Sequence, residues 1–139
     1  MTKFIRLPYH SQELARSGIT DETANAAGIH SETRHDWLTA LLGWRVPKKL
    51  APAIVFPFRT VDGDNGYCRI KPDVPRRQQE RAIKYESPKG RPGQVYIPPK
   101  TFAVLNNADH GLLITEGEKK ALKADQEGQP CVGLVGVFG

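Results

Sequence analysis

The chain has 139 residues, of which 39% are hydrophobic and 25% are charged, as in an ordinary globular protein with a real core. No apolar run approaches the roughly 18 residues of a membrane-spanning helix, and the first residues lack the apolar stretch of a signal peptide. We therefore expect a cytoplasmic protein. Cys68 and Cys131 are far apart and belong to no Cys/His cluster. This predicts reduced thiols and no zinc site.

The net charge of +5 is concentrated in the middle of the chain. Between Arg59 and Lys100 there are ten Lys or Arg against five Asp or Glu, and the rest of the chain has ten of each. A localised basic excess favours a polyanion as partner, and a solvated basic loop is the alternative.

Residues 1–44 are predicted to form a helical segment with three short helices. The predicted caps are Ser11, Thr20 or Asp21, and Ser31, and the predicted stops are Gly18, Gly28 and Gly43. Trp37, Leu38, Leu41 and Leu42 form the apolar stripe of the third helix. The segment either touches nucleic acid through its glycine-ended turns or packs as a lid on the next subdomain. His10, His30 and His35 show no ligand spacing and are expected at the surface or as caps.

Residues 45–108 are predicted to form a small, basic β subdomain. A strand over residues 53–60, a turn over residues 62–66 and a returning strand over residues 67–71 form a hairpin. Alternation puts Tyr67, Arg69 and Lys71 on one face, and Cys68 and Ile70 on the other. The Tyr-Arg-Lys face is interpreted as a polyanion surface, with an ordinary exposed hairpin face as the alternative.

Residues 72–93 are predicted to be a loop in which residues 82–86 can pair as a short strand. Cations in such a loop suit phosphate contacts, which give affinity without sequence information. The candidate nucleic-acid-binding residues are Arg69, Lys71, Arg76, Arg77, Arg81, Lys84 and Lys89. Tyr85 is a candidate for stacking a base, and a packed strand tyrosine is the alternative. A short strand over residues 94–97 and a helix from Pro99 to Asn107 are predicted to follow.

Residues 109–139 are predicted to form a βαβ unit. A buried strand ends at Glu116, a helix runs from about Glu118 to Glu127 and stops at Gly128, and a second buried strand begins at Cys131. The two strands should be parallel. A carboxylate at the carboxyl end of such a strand faces the ligand crevice of an α/β sheet, so Glu116 is the candidate catalytic residue and metal ligand. One carboxylate is an incomplete Mg²⁺ site.

The segment LLITEGEKKA, residues 112–121, resembles the first motif of the Toprim domain found in primases, topoisomerases and related nucleases. It is most similar to the Toprim-associated N-terminal domains of phage and plasmid primase-like replication proteins. The order of the other elements is similar too, and covers nearly the whole chain. These elements are Ser17-Gly18-Ile19, Phe56-Pro57-Phe58, Asp62-Gly63, Gly66-Tyr67, residues 84–90, and Gly136-Val137.

The resemblance implies an α+β fold with a helical N-terminal segment, a small mixed or antiparallel β subdomain and an incomplete Toprim-like βαβ unit. It implies that Glu116 is the Toprim acid/base or metal-proximal carboxylate, and that Arg69 and Lys84 hold template or nucleotide phosphates. A complete relative would use Mg²⁺. The Asp-x-Asp metal motif of the family lies beyond the third Toprim strand, so we expect no tight Mg²⁺ site in this chain.

The implied function is the nucleic-acid-binding N-terminal portion of a primase-like DNA replication protein, with single-stranded DNA as partner and incomplete for catalysis by itself. The alternative is a stand-alone protein of a mobile element that binds and inhibits a host defence complex, such as a CRISPR complex, with a truncated Toprim scaffold. The incomplete sheet leaves an apolar edge that a protein partner would cover.

Overall fold

The computed structural model describes residues 5–61 and 66–135. The helices are α1 (Pro8–Arg16), α2 (Asp21–Ala26), α3 (His35–Leu42), α4 (Pro99–Val104) and α5 (Glu118–Gln126), with a 3₁₀ turn at Lys48–Leu50. The strands are β1 (His30–Glu32), β2 (Ala53–Pro57), β3 (Cys68–Pro72), β4 (Arg77–Gln78), β5 (Arg81–Ala82), β6 (Leu113–Glu116) and β7 (Cys131–Leu134). This combination confirms the predicted α+β class. Most of the predicted turn over residues 62–66, and the Gly136-Val137 pair, lie outside the described residues.

The N-terminal helices stop where predicted but do not all start there. Thr20 caps α2, because its side chain accepts a hydrogen bond from the Thr23 backbone N–H at 3.1 Å. The prediction for Ser11 is wrong, since α1 begins at Pro8, whose fixed φ suits the first helical position. The prediction for Ser31 is also wrong, since Ser31 lies in β1 and α3 begins later. The left-handed glycines that follow the three helices are Gly18, Gly28 and Gly43.

The main sheet has the order β1-β2-β3 and is antiparallel throughout. The segment predicted to be wholly helical therefore supplies an edge strand. Both faces of β2 are buried, which divides the interior into two clusters. The first lies on the Ile54 and Phe56 face, and the second lies on the Val55 face with residues of α3.

The alternation predicted for the returning strand is confirmed, but its polar face is largely covered. Arg69 lies opposite Phe56 in the sheet register and Lys71 lies opposite Ile54, so both belong to the face that covers the first cluster. Tyr67 is only 3% exposed. The interpretation as an ordinary exposed hairpin face is therefore wrong, because Glu118 of α5 and Glu13 of α1 pair with Arg69 and Lys71. The interpretation as a polyanion surface stays a prediction, and Lys71 is half-buried.

The first cluster contains residues from all three predicted segments, among them Leu14, Phe56 and Leu122. The boundaries at residues 44/45 and 108/109 thus mark changes in sequence character within a shared core. The division into three domains stays a prediction. Cys68 and Cys131 are buried and not disulfide-bonded, as expected, and burial raises the pKa of Cys68 to about 11.

The predicted βαβ unit is present, with β6 parallel to β7 and α5 between them in sequence. The predicted strand over residues 94–97 is reduced to a bridge, in which Tyr96 and Gly133 exchange two backbone hydrogen bonds of 2.8 Å. The prediction that β6 is buried is wrong. Leu113 is 51% exposed and Ile114 is 65% exposed, since no strand among the described residues pairs with the outer edge of β6.

His10 is fully buried, against the expectation of a surface or capping residue. Its Nδ1 lies 2.6 Å from the Ser31 hydroxyl, and its Nε2 lies 2.6 Å from a carboxylate oxygen of Asp73. These contacts join α1 to β1 and to the end of β3. Within the described residues, no helix is long and apolar enough to cross a membrane.

Candidate nucleic-acid interface

Three of the candidate cations are engaged by carboxylates. Arg69 pairs with Glu118 at 3.2 Å, and Lys71 pairs with Glu13 at 2.9 Å. Arg76 pairs with Glu86 at 2.6 Å. The other candidates are exposed: Arg77, Arg81, Lys84 and Lys89. The structure therefore divides the predicted set into a paired group and an exposed group.

The pair of Arg69 and Glu118 lies inside the protein, between β3 and the start of α5. Arg69 is 9% exposed and Glu118 is 1% exposed, and the guanidinium also lies 4.8 Å from the ring centre of Tyr85. Desolvation raises the pKa of Glu118, and the charge of Arg69 acts in the opposite direction. Arg69 Nε and Glu118 Oε2 are buried without a hydrogen-bond partner among the described atoms. The predicted contact of Arg69 with nucleic acid stays a prediction.

Lys71 shares its carboxylate with a residue of α5. One oxygen of Glu13 accepts hydrogen bonds from Lys71 and Lys119, each at 2.9 Å. Burial alone would raise the pKa of Glu13, but the two lysines outweigh it and hold the pKa below its usual value. This carboxylate therefore stays ionised and joins α1, β3 and α5.

Arg76 and Glu86 anchor the loop that carries the exposed cations. Two guanidinium nitrogens donate to the two oxygens of Glu86, at 2.6 Å and 3.0 Å. This bidentate geometry is the strong form of such a pair. The backbone of Glu86 also bridges to Ile70 of β3, and Ala82 belongs to β5. The two ends of the stretch over residues 82–86 therefore pair with other parts of the chain, but the stretch does not form one continuous strand.

The exposed cations lie on and beside a tight hairpin, which we call the β4–β5 hairpin (residues 77–82). Its turn residues Gln79 and Glu80 have φ of 52° and 66°. Both are in the left-handed region that a tight hairpin turn requires at its centre. Arg77 and Arg81 belong to its two strands, and Lys84 follows shortly after. The predicted loop is therefore more ordered than its Pro and Gly content indicated.

The structure distinguishes between the expectations for Tyr85 and for Trp37. Tyr85 packs against Phe56 with its ring centre 5.8 Å away, which confirms the packed alternative. Trp37, predicted to belong to the buried stripe of the third helix, is 51% exposed. Trp44, which the sequence did not single out, donates its ring N–H to the Ser87 carbonyl at 2.9 Å and lies under Lys89. An arginine three residues before Trp37 was the available signal for an exposed ring.

Glu116 is the last residue of β6, as the motif predicts, and it is exposed. No group of three or more His, Cys, Asp or Glu within residues 5–61 and 66–135 is arranged to hold a metal. Mg²⁺ prefers several oxygen ligands in octahedral geometry, so the described residues do not fit a complete Mg²⁺ site. The catalytic and metal-binding roles of Glu116 stay predictions.

Comparisons with known proteins identify the fold. No protein-family model and no curated protein matches this sequence. The Aquifex aeolicus primase structure with zinc-binding and RNA polymerase domains matches with a TM-score of 0.64 and 16% identity, over 94% of this chain and 37% of that one. The chain therefore shares the fold of part of a primase catalytic domain. A DnaG catalytic domain bound to single-stranded DNA matches with a TM-score of 0.61 and 17% identity, over 94% of this chain and 47% of that one.

A DNA primase domain from Pseudomonas aeruginosa gives a TM-score of 0.61 at 16% identity, over 93% of this chain and 47% of that one. The chain thus spans less than half the length of these structures. The primase-like fold expected from the motif is confirmed.

Proposed function

We propose that this chain is the nucleic-acid-binding N-terminal portion of a primase-like DNA replication protein of a phage or plasmid, with single-stranded DNA as its partner. The observation that carries the proposal is the set of exposed cations on and around the β4–β5 hairpin, in a fold shared with primase catalytic domains. One of the similar structures is itself bound to single-stranded DNA.

The two groups of cations have different proposed roles. The paired group stabilises the packing of the sheet against the helices and holds the hairpin in place. Arg77, Arg81, Lys84 and Lys89 contact phosphates, which supplies salt-dependent affinity and little sequence preference. Glu116 is proposed as the carboxylate of the Toprim motif, and in a complete protein Mg²⁺ would supply charge neutralisation at the reacting phosphate.

The test is fluorescence anisotropy of a labelled single-stranded oligonucleotide, titrated with the chain at several salt concentrations. The variant Arg81→Ala/Lys84→Ala removes two exposed charges. If both contact phosphates, the slope of log K against log salt becomes shallower by about 1.4, since each contact to a single strand contributes about 0.7.

A matched control is Arg16→Ala/Lys120→Ala, which removes two exposed charges from α1 and α5. This control should retain the slope of the parent chain. Equal losses in both double variants would show that net charge alone attracts the strand. The absence of salt-dependent binding in the parent chain would refute the proposed function.

The second candidate is a stand-alone protein of a mobile element that binds and inhibits a host defence complex. The observation that favours it is the exposed apolar surface of β6, which includes Leu113 and Ile114. The reading frame beyond Gly139 separates the two candidates. Continuation into an Asp-x-Asp motif supports the replication protein, and a stop codon supports the stand-alone protein.

A further inference from the structure

The side chain of Trp37 is an exposed aromatic ring on α3. It is 51% exposed, and the Arg34 guanidinium lies 4.7 Å from the centre of its ring. Arg34 is held in turn by Glu32, whose carboxylate oxygen accepts from the Arg34 backbone N–H at 3.1 Å and from its Nε at 3.3 Å. The ring therefore has a cation fixed beside it before any ligand arrives.

Trp37 lies on α3, which is connected to Trp44 through the second core cluster. Leu41 is one helical turn further along and lies on the same side of the helix, and Leu41 and Trp44 both pack at the edge of the second core cluster. The ring of Trp44 has Lys89 Nζ at 4.2 Å and the Arg76 guanidinium at 5.5 Å from its centre. Each of the two tryptophans thus has at least one cation over its ring, and the cations at Trp44 belong to the basic loop.

We propose that Trp37 and Arg34 form a stacking site for one base of a single-stranded nucleic acid whose phosphates are held by Lys89 and the β4–β5 hairpin. This inference rests on the proposed function and assigns to it a site outside the basic segment. The charge beside both rings favours a polyanion, because Arg34 lies over Trp37, and Arg76 and Lys89 lie over Trp44. Aromatic rings stack bases of any sequence, which suits a protein that follows a template.

The test uses the fluorescence of Trp37 in a Trp44→Phe background, with two probes of equal length. One probe is oligothymidylate and the other is an abasic sugar-phosphate strand. Stacking predicts that the first quenches Trp37 and the second does not, although both bind. If Trp44→Phe does not fold, the difference in quenching between the parent chain and Trp37→Phe gives the same information.

The variant Trp37→Ala should weaken the binding of oligothymidylate by about five-fold or more with an unchanged salt slope. Trp37→Phe should retain most of the affinity because it keeps a ring. Val74→Ala is the matched control, since Val74 is 62% exposed, lies near the start of the loop and has no ring. It should bind like the parent chain.

The contrary outcomes separate the two proposals. Salt-dependent binding without quenching of Trp37, or an equal effect of Trp37→Ala on both probes, overturns the stacking site and leaves the proposed function standing. Quenching of Trp37 fluorescence by a protein partner, with no binding of nucleic acid, overturns both the stacking site and the proposed function.

Discussion

The buried pair of Arg69 and Glu118 provides the sharpest test of the structure, because sequence and structure assign Arg69 different positions. At 3.2 Å and an effective dielectric constant of about 20, the attraction between the two charges is about 5 kcal/mol before desolvation is subtracted. Arg69→Met leaves Glu118 buried and unpaired. The expected loss is about 3–5 kcal/mol of unfolding free energy at neutral pH.

The pH dependence of this loss has a definite sign. The pKa of Glu118 is already raised by desolvation, and Arg69 is the largest influence that lowers it. Removing Arg69 raises the pKa of the folded state further above that of the unfolded state. The folded variant is then most stable below the ordinary pKa of a carboxyl group, and loses stability as pH rises, by up to about 1.4 kcal/mol per pH unit.

Urea denaturation followed by circular dichroism measures both effects. The control is Arg69→Met/Glu118→Leu, which removes both charges and should be within about 1 kcal/mol of the parent chain or more stable. A loss below about 1 kcal/mol in Arg69→Met that does not depend on pH would refute the reasoning. In that case Arg69 would not be buried against Glu118 and would be available to nucleic acid.

Three further predictions concern the C-terminal unit. Gly133→Ala should lower stability by about 1–3 kcal/mol in thermal unfolding, because a Cβ would lie 2.5 Å from the Gly117 carbonyl oxygen; an unchanged midpoint would contradict this close approach. Asp125→Ala should cost about 1–3 kcal/mol, because its carboxylate accepts from the Thr101 backbone N–H and hydroxyl, each at 2.6 Å; urea denaturation measures the loss, and full stability would show that another group takes its place. Ile114→Lys should change stability by less than about 0.5 kcal/mol in urea denaturation, since Ile114 is 65% exposed; a larger loss would show that this side chain is packed.

The features that the sequence predicted well are local ones. Glycine at the helix ends, proline at the start of α4 and the alternation along β3 each act within a few residues, so each leaves a short sequence signature. The βαβ unit also belongs here, because a compact strand-helix-strand run has few possible topologies.

The features that the sequence did not predict depend on distant partners. Ser31 resembles a helix cap, but its segment pairs with β2 and its hydroxyl contacts His10. β6 has the apolar sequence of a buried strand, yet burial depends on neighbouring strands, and none among the described residues covers its outer edge. Local pattern indicates what a segment can bury, whereas the rest of the fold decides whether it does.

The effective charge of the basic segment also depends on residues that are distant in the sequence. This dependence changes the expected strength of nucleic-acid binding. The segment from Arg59 to Lys100 has a net charge of +5, but folding brings Glu13 and Glu118 from outside it onto Lys71 and Arg69. These two carboxylates reduce the effective charge of the segment from +5 to +3.

The slope of log K, the logarithm of the association constant, against log salt distinguishes binding by all seven candidate cations from binding by the four exposed ones. Contacts from all seven candidate cations would give a slope of about −5, whereas contacts from the four exposed ones give about −3. We expect the shallower slope. A slope near the steeper value would mean that the paired cations exchange their carboxylates for phosphates when the strand binds, and that the buried pair opens as part of recognition.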